Sequence, residues 1–154
     1  MTFVVEIPGE RSLALEHLLL DVNGTLTNRG ELLDGVAERL ARLSEILTVH
    51  LLSADTFGRL DAVAGELGAE ARRVSTGEDK LRVLHELGAD RCVAIGNGAN
   101  DAAMLSAAAL GIAVVGPEGA AATAVRAAEV VCRSIRDALD LLDDERALVA
   151  TLRA

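Results

Sequence analysis

Apolar residues in this chain follow two rhythms that alternate from one end to the other. Short, mainly apolar runs lie at Phe3 to Ile7, Leu18 to Val22, Thr48 to Leu52, Cys92 to Ile95, Gly111 to Val115 and Val130 to Cys132, with a weaker one at Ala71 to Val74. Runs of this length, bounded by turn-forming residues, read as strands. Between them the apolar positions fall three or four apart, at Leu33, Val36, Leu40 and Leu43, at Leu60, Val63 and Leu67, and at Leu81, Leu84 and Leu87. That is the spacing of one helix face.

The punctuation agrees with these elements. Pro8-Gly9-Glu10 closes the first strand, and Leu13-Ala14-Leu15 returns as its hairpin partner. Asn28-Arg29-Gly30 is turn chemistry for the tip of a small flap. Asp55 or Thr56 is placed to cap a helix that Gly68 stops, and Ser75 with Glu78 forms a capping-box pattern for a helix that ends at Gly88. A small-residue helix is expected from Ala102 to about Ala109, and Gly116-Pro117-Glu118-Gly119 is expected to open another. Ser134 caps the final helical segment toward Leu142, and Asp143-Asp144-Glu145 reads as solvated helix surface.

Strands that alternate with helices predict an α/β, doubly wound, Rossmann-like parallel sheet. Continuously apolar strands fit a sheet covered on both faces. The 154 residues make one domain by length, 1–154, preceded in the sheet by an N-terminal hairpin. The formal net charge of -9, with no basic stripe and only Phe3 and Phe57 as aromatics, argues against a nucleic-acid partner. No apolar run is long enough to span a membrane, and Met1 to Pro8 lacks the basic start of a signal peptide. A cytoplasmic protein is expected, with Cys92 and Cys132 as buried free thiols.

Sheets of this kind bind ligands at the carboxyl ends of their strands. Asp21-Val22-Asn23-Gly24-Thr25-Leu26-Thr27 leaves one such end, Ser53 a second, and Asn97 through Asp101 a third, while Lys80 lies just inside the helix after the weak strand. Any of these alone is an ordinary strand end or helix cap. Together they offer a carboxylate nucleophile, backbone amides at Val22 and Asn23 for a phosphate, a hydroxyl donor, a fixed ammonium and a second carboxylate for Mg2+. That set suits phosphoryl transfer through an aspartyl phosphate.

Taken in order, these segments resemble the motifs of the haloacid dehalogenase-like hydrolase superfamily. The first motif is similar to the Asp-Lys-Thr-Gly-Thr-Leu-Thr of the P-type ATPase phosphorylation domain. Leu52-Ser53 fits the second motif and Lys80 the third, and Gly96 to Asp101 resembles the fourth. The resemblance covers about Leu18 to Arg133 and implies Asp21 as nucleophile and metal ligand. It implies Ser53 and Lys80 as phosphate-binding, and Asp101, Asn97 and the Asn23 carbonyl as further metal ligands.

Two positions depart from the family pattern. Asn23 stands where the usual general acid and base is an aspartate, and losing that help costs about 10²–10⁴ in rate. Asn97 stands where the metal-binding aspartate is usual, so its oxygen reaches the cation without charge. One helix and its connections fill each interval between Asp21, Ser53 and Lys80, leaving no room for a cap domain. An open site would serve a large phosphorylated substrate or be closed by a second copy of the chain. Two readings stay open: a slow Mg2+-dependent phosphatase, and a phosphate-binding or regulatory protein without turnover. A receiver domain is a poorer match, because Gly24-Thr25 does not suit it.

Overall fold

The computed structural model describes residues 2–154. Strands β1 (Phe3–Ile7) and β2 (Arg11–Leu15) form an antiparallel hairpin with Phe3 opposite Leu15. The chain then continues through β3 (His17–Asp21), the flap strands β4 (Thr27–Asn28) and β5 (Glu31–Leu32), α1 (Val36–Leu43), β6 (Thr48–Ser53), α2 (Leu60–Leu67), β7 (Glu70–Arg73) and α3 (Gly77–Leu87). It ends with β8 (Cys92–Gly96), α4 (Ala102–Ala107), β9 (Leu110–Val114), α5 (Ala122–Ala127), β10 (Val130–Cys132), α6 (Ile135–Leu142) and α7 (Glu145–Leu152).

Six of these strands form one parallel sheet in the order β10-β9-β8-β3-β6-β7. The expected doubly wound α/β architecture and the N-terminal hairpin are both present, although the hairpin is a separate sheet. Side chains alternate across each strand, so β3 sends Leu18 and Leu20 into one core and Leu19 into the other. The first core takes α1, α2, α6, α7 and the hairpin, through residues such as Leu40, Leu139, Leu148 and Leu15. The second takes α3, α4 and α5, through Leu84, Met104 and Ala124. Successive strands build outward in opposite directions from β3, so the order reverses between β3 and β8. A crevice opens at that point, outside the carboxyl ends of the strands. The intervals between β3, β6 and β7 hold only the flap, α1 and α2. No helix among the described residues is long and apolar enough to cross a membrane.

Several local expectations shift. The sequence Ser75-Thr76-Gly77-Glu78-Asp79 contains two overlapping capping patterns, and the second forms: Thr76 Oγ1 accepts from Asp79 N at 3.1 Å while Asp79 Oδ2 accepts from Thr76 N at 3.2 Å. Starting the helix at Gly77 also lets it pack against the Asn100 carbonyl, where a Cβ would lie 2.8 Å away. Asp55 does hold the start of α2, accepting from Leu60 N at 2.8 Å, but across a loop, with Arg59 in the cap position. Gly116 to Gly119 closes a tight turn rather than opening a helix, and α5 begins at Ala122. The final helix is α7, because Asp144, in the middle of the acidic run, caps it by accepting from Ala147 N. Cys92 is buried and Cys132 half-buried, and burial raises both thiols, Cys92 to about 11.

Candidate active site

The end of β3 turns sharply over itself. Thr25, Leu26 and Thr27 all donate their amides to the Val22 carbonyl, and Gly24 N donates to Thr27 O. Gly24 sits at φ 79°, the left-handed region that glycine enters without strain. The amides of Gly24 to Thr27 are therefore consumed within the turn, and neither Val22 nor Asn23 donates there. These two are the amides expected from the sequence to face a phosphate.

The turn holds Asp21 92% buried at the crevice floor. Lys80, from the first turn of α3, extends its Nζ to donate to Asp21 Oδ1 at 2.8 Å and to Asp101 Oδ1 at 2.6 Å. Thr25 Oγ1 lies 2.9 Å from Asp21 Oδ2 and 3.2 Å from Asn97 Oδ1, and its single proton serves one of these two acceptors at a time. Ser53 Oγ accepts from Asp55 N at 2.9 Å, which leaves its own proton to donate to a ligand.

One ammonium serves two buried carboxylates here. Burial and the neighbouring Asp101 charge push Asp21 up to about 6, against the pull of Lys80 and the Thr25 hydroxyl. Burial draws Lys80 down, but Asp21 and Asp101 together outweigh it and hold the ammonium above its ordinary value. The two directions are consistent. The cation gains two partners, while each carboxylate gains a share of one.

Asp101 is fully buried, and its second oxygen accepts from the amides of Asn97 and Gly98 at 3.1 and 2.9 Å. Both oxygens accept hydrogen bonds, from Lys80 and from the loop, and Asp101 is not among the residues that line the crevice, so in this geometry it positions the lysine and the turn. Asp55 is likewise committed. Its hydrogen bonds to Leu60 N and to Arg73 keep its carboxyl below the ordinary range.

Asp21, Asn23, Ser53, Lys80 and Asn97 all line one cavity of about 490 Å³ at the switch point, so the expected convergence of the strand ends is present. Thr56, Asn100 and Glu118 join them. Sequence reasoning missed Glu118, although its turn leaves β9 at the same sheet edge and the strand-end rule reaches it. A second hollow, about 260 Å³, lies at the opposite end of the strands by Thr48 and Val49 and carries no comparable chemistry. Among the described residues no three His, Cys, Asp or Glu side chains converge as a metal-binding group. Asp21, Asn23, Asn97 and Glu118 are among the oxygen-bearing residues of the lining, and oxygen ligands are those that a hard ion takes.

A family described as haloacid dehalogenase-like hydrolase matches residues 3–109. An uncharacterised protein of Methanocaldococcus jannaschii is 45% identical over 78 residues, covering 48% of this chain and 84% of that one. A manganese-exporting P-type ATPase of Mycobacterium leprae is 38% identical over 106 residues, covering 63% of this chain but only 15% of the pump. Among solved structures, 3-deoxy-D-manno-octulosonate 8-phosphate phosphatase from Moraxella catarrhalis superposes with a TM-score of 0.64 at 18% identity, covering 90% of this chain and 94% of that one. At that identity the likeness is one of fold.

Proposed function

The chain belongs to the haloacid dehalogenase-like hydrolases, and from that premise we propose that it is a capless, Mg2+-dependent phosphohydrolase working slowly through an aspartyl phosphate on Asp21. The observation that carries this reading is the Asp21–Lys80–Asp101 chain of hydrogen bonds on the floor of an open crevice. A buried carboxylate held in place by an ammonium, with a free hydroxyl proton at Ser53 across the cavity, is arranged to receive a phosphoryl group.

In the first step a carboxylate oxygen of Asp21 attacks phosphorus and the bond to the ester oxygen breaks. Ser53 Oγ and Lys80 Nζ donate to the phosphoryl oxygens. A divalent cation at Asp21, Asn97 and the Asn23 carbonyl would supply charge neutralisation between carboxylate and phosphate. Asn23 has no proton to exchange, so the leaving oxygen takes its proton from solvent. Water then attacks the acyl phosphate, its proton passes to solvent, and the Asp21 carboxylate is released. Both proton transfers lack a built-in partner, which makes the second step the slower candidate. The open mouth suits a large phosphorylated substrate, or closure by a second copy of the chain.

Rapid-quench labelling with acetyl phosphate and Mg2+ tests the reading. Wild type is expected to accumulate an acyl phosphate that Asp21→Asn does not form, and Asn23→Asp is expected to raise release of phosphate by about tenfold or more. Absence of label above the Asp21→Asn background would favour a phosphate-binding protein without turnover.

A further inference from the structure

We propose that Glu118 supplies the second negative ligand of the divalent cation at Asp21, the charge that the amide of Asn97 lacks. The proposal rests on the cation-dependent reading above and assigns one further residue to that site.

Glu118 is delivered by a turn that is locked in place. Gly116 and Gly119 exchange backbone hydrogen bonds, Gly119 N to Gly116 O at 2.9 Å and Gly116 N to Gly119 O at 3.3 Å. Gly116 packs so closely on the Gly24 carbonyl that a Cβ there would collide with it. Across this contact Glu118 Oε2 occupies the space that a Gly24 side chain would need, and Asn97 Nδ2 lies 3.1 Å from that same point. The carboxylate therefore stands beside the Asn97 amide, at the wall of the cavity that Asp21 floors.

Asn97 does something that an aspartate could not. Its Nδ2 donates to the Gly119 carbonyl at 3.1 Å, while its Oδ1 faces Thr25 and the Asp21 side. A carboxylate at position 97 has no donor for Gly119. The amide gives up a charge and in exchange tethers the turn that carries Glu118. On this proposal the charge is displaced from residue 97 to residue 118, which the turn brings to the cavity wall beside Gly24 and the Asn97 amide nitrogen.

The competing view is that Glu118 is an ordinary surface carboxylate, since it is exposed. The charge count opposes that view. Lys80 is the one lysine or arginine lining this cavity, and Asp101 already shares it from behind. Asp21 and Glu118 then leave the lining with an excess of negative charge, which repels an incoming phosphate. A hard divalent cation between them reverses this, and such ions take oxygen ligands directly or through their own waters.

The test is a titration of the purified chain with Mn2+ alone, free ion being read from its electron paramagnetic resonance signal, so that no turnover is required. Wild type is expected to bind, Glu118→Gln to bind at least about tenfold more weakly, and the distant Glu145→Gln to bind as wild type. Returning the charge to residue 97 in Glu118→Gln/Asn97→Asp is expected to recover most of the loss. Equal affinity in wild type and Glu118→Gln would overturn the proposal and leave the cation with Asp21 and Asn97. Failure of the double variant to recover, with its circular dichroism unchanged, would overturn the displaced-charge account. If wild type binds no Mn2+ at millimolar concentration, the proposal falls together with the cation. Labelling of Asp21 by acetyl phosphate then decides separately whether the nucleophile reading survives.

Discussion

Lys80 has one charge to divide between two buried carboxylates, and Asp21 holds its ionised form against burial and a like-charged neighbour. A carboxyl raised from its ordinary value to about 6 is protonated more readily in the folded chain than in the unfolded one. Its stabilising contribution is therefore complete below pH 4 and is lost as pH rises to 6, on the order of 3 kcal/mol in all. Asp21→Asn removes that loss. In cation-free buffer at pH 7.5 the variant should resist urea better than wild type by about 2 kcal/mol, with the gain closing toward pH 4. The chain contains no Trp or Tyr, so far-UV circular dichroism is the readout. A variant less stable than wild type at pH 7.5 would mean that the Lys80 contact outweighs the burial.

At the scale of elements, α3 carries the chemistry, because its first turn aims Lys80 and its start is set by a cap. The Thr76–Asp79 box predicts that Thr76→Ala costs about 1 kcal/mol, while Ser75→Ala, one residue away, changes stability by less than about 0.5 kcal/mol. Equal losses from the two would return the cap to Ser75. This pair also marks how far the sequence could be read. Alternating periods were enough for the parallel sheet, because both faces of β3 and β8 are buried and a continuous apolar run has no other use. Glycine stops at Gly68 and Gly88 were legible for the same local reason. What local pattern could not decide was the choice between overlapping caps, which tertiary packing of Gly77 on Asn100 settles. It also could not decide the role of an acidic run that ends one helix and begins the next at Asp144. Asp101 was recognisable as a site residue, but its orientation depends on the amides of Asn97 and Gly98 folding back onto it. Glu118 stands within reach of the strand-end rule, but its contact with Gly24, distant in sequence, is made only across the crevice.

For the whole molecule, charge and openness act together on anything that approaches the crevice. The chain carries a net charge of -9, and Lys80 is buried between two carboxylates, so it projects little positive field into solvent. On the proposed reading a dianionic ester would meet repulsion at long range, with attraction beginning only at contact with Ser53, Lys80 and a bound cation. Salt screens exposed charges beyond a Debye length of about 10 Å at 0.1 M but weakens short buried contacts far less. Raising NaCl from about 20 to 200 mM at saturating Mg2+ should therefore lower KM for a small phosphate ester, by roughly two- to threefold, and leave kcat nearly unchanged. Initial rates across that range are the measurement. An increase in KM with salt would show instead that the rim presents a net positive field to its substrate, and the acidic surface would then have no part in how slowly the site fills.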